Sequence, residues 1–153
     1  MNIFEKYQIS GKSTIFFLTG AGLDAESGIK TFRDSENGLW AEHSIEEVCT
    51  PEAFYRNPEK VHNFYNLRRQ ELKNAIPNVA HQAMVELEKN VKLHIVTQNI
   101  SGLSLKAGND ENTVIEMHGS LEKCQCVKHE EHVFRCFKDL TENDLCEICG
   151  SKL

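Results

Sequence analysis

The sequence has 153 residues, the size of one common domain and enough to enclose a hydrophobic core. Its formal net charge is −6 and its basic residues are scattered, so the sequence predicts no basic surface patch that would bind a polyanion. Nucleic acid is therefore not expected as a direct ligand. No run of about 18 apolar residues occurs, and "MNIFEKYQIS" lacks the order of a signal peptide, so neither a membrane span nor secretion is expected.

The first predicted strand leads into a turn of small residues. "STIFFLTGAG" sets β-branched and aromatic residues before a glycine break, which predicts a buried strand. The segment from Gly20 through Ala21 and Gly22 to Ala25 then fits the pattern G-x-G-x-x-A. Small residues at these positions let the backbone approach a pyrophosphate, and N–H groups at the start of a helix bind the anion. This turn is therefore a candidate dinucleotide-binding site.

Helices are predicted between this turn and the second strand. A capping side chain twice precedes a proline at the first helical position, in Thr50-Pro51 and Asn57-Pro58. The second strand begins only near residue 91, whereas an ordinary dinucleotide-binding unit closes within roughly 30 residues. We therefore interpret residues of about 36–76 as a helical insertion at the ligand-binding edge, where insertions form lids or substrate walls.

Two further strands follow another capped helix. Asn78 is expected to cap "VAHQAMVELEKN", in which we interpret His81 as structural. "VKLHIVTQN" predicts the second strand, with Leu93 and Ile95 on one face, and "NTVIEMHGS" predicts the third. Strands that alternate with helices predict a parallel α/β sheet whose ligands bind at the carboxyl ends of the strands.

Most of the six cysteines cluster with two histidines towards the end of the sequence. Cys126-x-x-His129 and Cys146-x-x-Cys149 are spaced like the two knuckles of a structural zinc ribbon in which an imidazole replaces one thiolate. Cys124 is an alternative to His129 as the fourth ligand. Free thiols in a reducing compartment are the alternative to zinc.

The predicted fold class is α/β, with an incomplete Rossmann-like parallel sheet, a helical insertion and a small zinc-ribbon module. Residues 1–119 are expected to form the Rossmann-like, nucleotide-binding part, and residues 120–153 the zinc-binding module. The remaining cysteines, Cys49 and Cys136, are expected to be small buried hydrophobic residues.

Several motifs occur together and in order along the chain. They are "GAGLDAESGIKTFR", "FYNLRR", "TQNI" at Thr97 to Ile100, and His118-Gly119 within "EMHGS", followed by the cysteine cluster. Together they resemble a sirtuin, and "GLWAEH", "TPEAF" and "PNVAH" are similar to the short bacterial members. Sirtuins use NAD to remove acyl groups from lysine, releasing nicotinamide and an O-acyl-ADP-ribose. The resemblance implies an NAD-dependent protein deacylase with acyl-lysine proteins as substrates.

The resemblance also implies roles for individual residues. His118 corresponds to the family's catalytic base, and an imidazole suits proton transfer from a ribose hydroxyl near neutral pH. Asn99 corresponds to the asparagine beside the nicotinamide ribose, whose amide orients hydroxyls or a water. Phe32 and Arg33 correspond to a cofactor loop over the reactive ribose. The implied cofactor-binding residues are Gly20, Ala21, Gly22, Ala25, Thr31, Phe32, Arg33, Gln98, Asn99, Ile100 and Ser101.

Tyr65 and Arg68 are spaced i, i+3 on a predicted helix and therefore share a face. A guanidinium beside a phenol suits an acyl chain that ends in a carboxylate. The Y-x-x-R pair resembles that of sirtuins which remove succinyl and related acidic acyl groups, so the resemblance implies desuccinylation together with deacetylation. An ordinary half-buried helix face is the alternative interpretation.

The sequence departs from the family pattern at three points. Ser101 and Ser104 stand where the family usually has aspartate and histidine, and loss of the carboxylate is expected to weaken nicotinamide binding by about 1.5–3 kcal/mol. The family's V-V-W-F-G-E segment and its later adenosine-binding strands do not occur in the 153 residues. We interpret the chain as the N-terminal part of a C-terminally truncated sirtuin; a non-catalytic, zinc-bearing remnant that binds a partner is the alternative.

Two further expectations concern the end of the chain. Counting from "HGS" to the family's first zinc ligand gives Cys126. The terminal Ser151-Lys152-Leu153 matches a peroxisomal address, but we interpret the match as a coincidence and expect a cytoplasmic protein.

Overall fold

The computed structural model describes residues 3–29 and 44–153. Its strands are β1 (Thr14–Thr19), β2 (Lys92–Thr97), β3 (Val114–Glu116), β4 (Lys123–Gln125) and β5 (Val133–Arg135). Its helices are α1 (Ile3–Lys6), α2 (Ala21–Asp24), α3 (Ile45–Val48), α4 (Pro51–Arg56), α5 (Pro58–Lys73), α6 (Val79–Glu88) and α7 (Leu103–Ala107), and a 3-10 turn spans Ala25–Ser27. No helix within this described part of the chain has the length and apolar character needed to cross a membrane.

The chain divides into two compact units, each made of two stretches of sequence. The first unit comprises residues 1–28 and 76–118, and the second comprises residues 29–75 and 119–153. The predicted division assigned the helical insertion to the Rossmann-like part. The structure instead groups helices α3 to α5 with the hairpin of β4 and β5 and the clustered cysteines.

A three-stranded parallel sheet with the order β1-β2-β3 forms the frame of the first unit. Ile15 pairs with Leu93, while Ile95 pairs with Phe17 on one side and Val114 on the other. Parallel neighbours need crossover connections, and these are supplied here by segments that contain helices. The α/β fold class with a parallel sheet is therefore confirmed.

The hydrophobic core of the first unit lies between this sheet and α6. Leu93 and Ile95 of β2 are fully buried and pack with Met84 of α6. Asn78 fixes the start of α6, because its side-chain oxygen accepts from the N–H groups of Ala80 at 3.0 Å and His81 at 3.3 Å. The partly buried residues packed against this core are Ile15, Phe17, Leu23, Leu87 and Val114.

Two helices that begin at proline form much of the second unit. Thr50 caps α4 by accepting from the N–H of Ala53 at 3.1 Å, and Asn57 caps α5 by accepting from the N–H of Lys60 at 3.0 Å. Both predicted caps are confirmed. Helix α5 buries Val61, Phe64 and Leu72.

Polar side chains on α5 hold the loops beside the antiparallel hairpin of β4 and β5. The buried Asn66 makes two bonds to the backbone of Leu140: its Nδ2 donates to the carbonyl at 2.7 Å, and its Oδ1 accepts from the N–H at 2.8 Å. Arg69 Nε donates to the carbonyl of Leu121 at 2.8 Å. These bonds join residues distant in sequence and fix the cysteine-bearing segment to the helix.

Candidate functional site

The glycine turn follows β1 at the carboxyl edge of the parallel sheet. Gly20 precedes α2, and its carbonyl accepts from the N–H of Leu23 at 2.9 Å, which closes the first helical turn. Gly22 is exposed, and a Cβ at this position would meet no atom of the described residues within 4 Å, so the space beside its Cα is unfilled there. Ala21 is half-buried and Ala25 is exposed.

Helix α6 and its cap hold this turn in place. Asn78 Nδ2 donates to the carbonyl of Leu23 at 2.7 Å and to the hydroxyl of Ser27 at 3.0 Å. His81 Nε2 lies 3.2 Å from Asp24 Oδ1, and both side chains are buried, which agrees with a structural role for His81. Asp24 was not predicted as part of the site. The sequence signal that could have indicated it is a carboxylate within a turn of small residues.

The segment after β2 lies at the same edge, because β1 and β2 are parallel neighbours. Asn99 Nδ2 donates to the carbonyl of Gly20 at 2.9 Å, and Asn99 N donates to the hydroxyl of Thr97 at 3.0 Å. Gln98 is exposed and Ile100 is half-buried. The structure therefore brings the predicted Asn99 into direct contact with the predicted glycine turn.

His118 follows β3, two residues beyond the last residue of that strand, and its imidazole is exposed. It therefore comes from the carboxyl end of the third parallel strand. Ser101 is buried, and its Oγ accepts from the N–H of Leu103 at 3.3 Å. Ser104 is buried as well. The other predicted cofactor residues, Thr31, Phe32 and Arg33, lie outside the described residues.

Tyr65 and Arg68 lie on α5 in the second unit, and both are half-buried. The Arg68 guanidinium lies over the ring of Phe64 at 5.1 Å, and its Nε is 3.4 Å from a carboxylate oxygen of Glu71. Its Nη1 is buried and has no hydrogen-bond partner among the described residues. A buried N–H group without an acceptor costs free energy.

The hydroxyl of Tyr65 donates to Cys49 Sγ at 3.5 Å. Burial, together with this hydrogen bond, raises the pKa of Tyr65 above its usual range, so the phenol remains a donor at neutral pH. Cys49 is exposed, so the prediction that it is a buried hydrophobic residue is wrong: it lies at the end of α3, where its thiol contacts Tyr65. The same prediction for Cys136, which is 4 % exposed, is confirmed.

A cluster of three thiols and one imidazole lies in the second unit. The ligand atoms of Cys126, His132, Cys146 and Cys149 all lie within 4.8 Å of one another. Cys126 Sγ is 3.5 Å from Cys149 Sγ, and Cys146 Sγ is 3.5 Å from His132 Nδ1. In a tetrahedral zinc site with Zn–S bonds of about 2.3 Å, neighbouring sulfurs are about 3.8 Å apart. The cluster is therefore compatible with a structural zinc ion.

The structure does not bring His129 together with the three thiols. The N–H of His132 donates to the carbonyl of His129 at 3.0 Å, and this turn directs His132 to the cluster. The His129 ring lies 4.7 Å from the His132 ring, and its Nδ1 is 3.5 Å from Glu131. Cys124, the alternative, lies in β4 opposite Phe134 and outside the cluster. His132 thus occupies the fourth position that was predicted for His129.

Backbone hydrogen bonds hold the cluster. The N–H of Lys128 donates to Cys126 Sγ at 3.4 Å, and the N–H of Cys146 donates to the carbonyl of Ser151 at 2.7 Å. A hydrogen bond from the Ser151 side chain, supported by its backbone N–H, lowers the pKa of Cys149 to about 6. The lowered pKa favours the thiolate, which is the form that binds metal.

A glycine turn that is hydrogen-bonded to an amide at the carboxyl edge of a parallel sheet, with an imidazole after the third strand, is typical of a nucleotide-binding α/β protein. The thiol-rich module distinguishes it from a simple Rossmann protein. The sequence matches the Sir2 family over residues 20–153, and the chain belongs to this family.

The chain is similar to named proteins and solved structures of the family. An NAD-dependent protein deacylase of Bdellovibrio bacteriovorus is 49% identical over 142 residues, which cover 90% of this chain and 59% of that protein. A Sir2 homologue in complex with ADP-ribose has a TM-score of 0.83 and 38% identity, and the match covers 99% of this chain and 61% of that chain. A Sir2 homologue in complex with NAD has a TM-score of 0.76 and 40% identity, with coverages of 91% and 54%. This chain therefore spans little more than half the length of these proteins.

Proposed function

We propose that the protein is an NAD-dependent lysine deacylase, which transfers acyl groups from lysine side chains of proteins to ADP-ribose and releases nicotinamide. The hydrogen bond from Asn99 to Gly20 carries the proposal. It fixes the "TQNI" segment against the glycine turn, at the sheet edge where His118 follows β3. The activity in the name of the Bdellovibrio relative and the NAD bound to a similar structure support it.

The residues at this edge fit NAD. The open space at Gly22 lets a pyrophosphate approach backbone N–H groups. NAD, when bound, supplies an electrophilic ribose carbon to which the acyl oxygen of the substrate can bond. Asn99, oriented through its bond to Gly20, presents its amide oxygen to a ribose hydroxyl or a water. The exposed imidazole of His118 then accepts the proton of a ribose hydroxyl, a transfer suited to histidine at neutral pH.

Ser101 is proposed to contact the nicotinamide end of NAD with a hydroxyl instead of a carboxylate. Its Oγ already accepts from the N–H of Leu103. The nicotinamide amide therefore gains a neutral hydrogen bond where a charged one would contribute about 1.5–3 kcal/mol. We expect NAD to bind more weakly than to a Ser101→Asp variant.

We propose that the acyl group removed includes acidic chains such as succinyl. The support is the buried Nη1 of Arg68, which has no acceptor among the described residues, and the Tyr65 hydroxyl three residues earlier on the same helix face. A carboxylate at the end of an acyl chain accepts from both groups, and the guanidinium supplies its counter-charge. A shorter, neutral acetyl group leaves Nη1 unpaired.

We also propose that Cys126, His132, Cys146 and Cys149 bind a structural zinc ion. Four ligands fill a tetrahedral zinc and leave no open position for substrate, so the ion's contribution is to fold this segment. We also propose a cytoplasmic location, because the cysteines of the described residues are free and free thiols persist in a reducing compartment.

The function is tested by nicotinamide release from NAD by the purified protein, with and without an acyl-lysine peptide. We expect release only with the peptide and its loss in the His118→Ala variant, because no other described side chain at that strand end is a neutral-pH base. His129→Ala removes a second exposed histidine, in the other unit, and should leave the rate unchanged. Unchanged release by His118→Ala would contradict the proposed function.

A further inference from the structure

The turn between β4 and β5 carries three potential metal ligands, His129, Glu131 and His132, which we call the outer triad. Their ligand atoms all lie within 4.8 Å of one another. His129 Nδ1 is 3.5 Å from Glu131 Oε1, and His132 Nε2 is 4.0 Å from the same oxygen. The centroids of the two imidazole rings are 4.7 Å apart. Two imidazoles thus lie close to one carboxylate, and one of them also belongs to the thiol cluster.

Backbone hydrogen bonds hold the turn that carries the outer triad. The N–H of His132 donates to the carbonyl of His129 at 3.0 Å, and the carbonyl of His132 accepts from the N–H of Cys126 at 3.0 Å. Gln125 Nε2 donates to the carbonyl of Glu130 at 2.8 Å. The backbone beneath the three side chains is therefore fixed without an ion, so an ion that binds them has little of the chain left to order.

The spacing of the ligand atoms suits a metal ion. The 3.5 Å between His129 Nδ1 and Glu131 Oε1 exceeds the usual length of an N–H···O hydrogen bond, about 2.7–3.2 Å. In a tetrahedral zinc site with bonds of about 2.0–2.2 Å to nitrogen and oxygen, neighbouring ligand atoms are about 3.3–3.6 Å apart. Imidazole combined with carboxylate favours divalent transition metals, whereas Mg²⁺ and Ca²⁺ prefer oxygen ligands alone.

His132 presents a different ring nitrogen to each group of ligands. Its Nδ1 is 3.5 Å from Cys146 Sγ, whereas its Nε2 is the atom near Glu131. His132 is half-buried, but His129 and Glu131 are exposed, so an ion can reach the outer triad from the solvent. An ion that binds Nε2 while another is bound to Nδ1 displaces the Nε2 proton to the solvent, and the imidazolate then bridges the two ions.

We propose that His129, Glu131 and His132 bind a second divalent transition-metal ion at the protein surface, beside the thiol cluster. His129 and Glu131 supply the first two bonds and His132 Nε2 the third, and water fills the position that remains. The site is independent of the proposed deacylation, and it shares only the ring of His132 with the proposed structural zinc. Because the outer triad is exposed and contains no thiolate, we expect it to bind zinc more weakly than the thiol cluster does.

Zinc titration of the complete chain against a chromophoric chelator tests the site. We expect two zinc equivalents per chain, a strong one at the thiol cluster and a weaker one at the outer triad, and excess Mg²⁺ should not compete for the weaker one. His129→Ala should remove the weaker equivalent and retain the strong one, because His129 is not among the ligands of the thiol cluster. The strong equivalent also shows that each variant is folded.

The carboxylate has a matched control in its neighbour. Glu131→Gln should weaken the second equivalent by more than about tenfold, since even the outer partners of metal ligands contribute 10–100-fold. Glu130→Gln makes the same change of charge at an exposed position next to the outer triad and should leave both equivalents unchanged.

The shared ring is tested separately. His132→Cys keeps four ligands for the ion of the thiol cluster but removes the imidazole from the outer triad, so only the weaker equivalent should lose affinity. Cobalt, which binds less strongly than zinc, should not displace zinc from the thiols. Added to the zinc-loaded protein, it should give ligand-field bands without thiolate-to-metal absorption, because the outer triad contains no sulfur.

The outcomes that overturn the proposal are distinct from a failure of the proposed function, because none of these measurements depends on nicotinamide release. A single zinc equivalent in the unsubstituted chain overturns it. A weaker equivalent that persists in His129→Ala, or that Glu130→Gln reduces as much as Glu131→Gln, also overturns it, since the ion then binds elsewhere or through surface charge alone. Loss of both equivalents in His129→Ala would place His129 in the thiol cluster and overturn the proposal as well.

Discussion

The positions of the two ring nitrogens of His132 identify it as the imidazole of the thiol cluster. His132 Nδ1 is 3.5 Å from Cys146 Sγ, and its Nε2 lies 4.0 Å from the carboxylate of Glu131, which can orient the ring from outside. We expect His132→Ala to lower zinc affinity by more than about 100-fold, since outer partners alone contribute 10–100-fold. The measurement is competition with a chelator, together with the thiolate-to-metal absorption of the cobalt form.

His129→Ala is the control for this prediction. His129 is 45 % exposed at its side chain and its Nδ1 contacts Glu131, so the variant should retain zinc affinity and the cobalt spectrum. A His132→Cys variant should restore four ligands and shift the spectrum towards that of four thiolates. A loss of zinc in His129→Ala with none in His132→Ala would show that the spacing prediction was right and the assignment of His132 wrong.

Residue spacing could predict the three thiols of the cluster but not its imidazole. The Cys146 and Cys149 pair has the separation of a knuckle, a local property. His132 reaches the cluster because its N–H bonds to the carbonyl of His129, a turn with no signature in the sequence. Cys49 was misjudged for a related reason: its exposure depends on where α3 ends relative to α5, which is a tertiary property.

At the scale of elements, one carboxylate fixes the turn that precedes the second thiol pair. Asp144 accepts from Lys138 Nζ and, at 2.8 Å, from the N–H of Thr141. The Lys138 hydrogen bond, followed by that of Thr141, lowers the pKa of Asp144 to about 2. Because the folded pKa is depressed, the stabilisation is present above the ordinary carboxyl range and is lost as pH falls towards 2.

We therefore expect Asp144→Asn to lower the free energy of unfolding by about 1 kcal/mol at pH 7, a modest value because Lys138 is exposed. The difference between variant and unsubstituted protein should shrink between pH 4 and pH 2, since the unsubstituted carboxyl is then protonated as well. Urea unfolding at several pH values measures this difference. Any metal released at low pH is lost from both proteins alike, so its loss does not contribute to the difference. A difference in the free energy of unfolding that does not change with pH would contradict the assignment of this stabilisation to the ionised carboxylate of Asp144.

The elements themselves were largely predictable, because their signals are local. The side chains of Thr50 and Asn57 accept from N–H groups three residues later, and that of Asn78 accepts from N–H groups two and three residues later, as helix caps do in general. The grouping of elements was not predictable. It depends on bonds such as those from Asn66 to Leu140, which join positions 74 residues apart and leave no periodic pattern.

At the scale of the whole molecule, the two faces of the parallel sheet differ in burial. One face packs on Met84 of α6, whereas Phe16 and Leu18 of β1 point from the other face and are 69% and 71% exposed. Ile115 of β3, on the same side, is 54% exposed. Parallel sheets are generally covered on both faces, and an exposed apolar patch of this kind favours association with other molecules.

The exposed face leads to a prediction about the behaviour of the chain in solution. Phe16→Ser combined with Leu18→Ser should reduce self-association and binding of an apolar dye, while the free energy of unfolding changes by only about 0.5 kcal/mol, because both side chains already contact water. Phe17→Ser is the matched control: it lies one position along the same strand, packs against the core, and should destabilise by about 3 kcal/mol. Sedimentation velocity, dye fluorescence and urea unfolding measure the three effects. If the double variant unfolds as readily as Phe17→Ser, then Phe16 and Leu18 are buried in solution, and the face they form is covered by this chain or by a second copy of it.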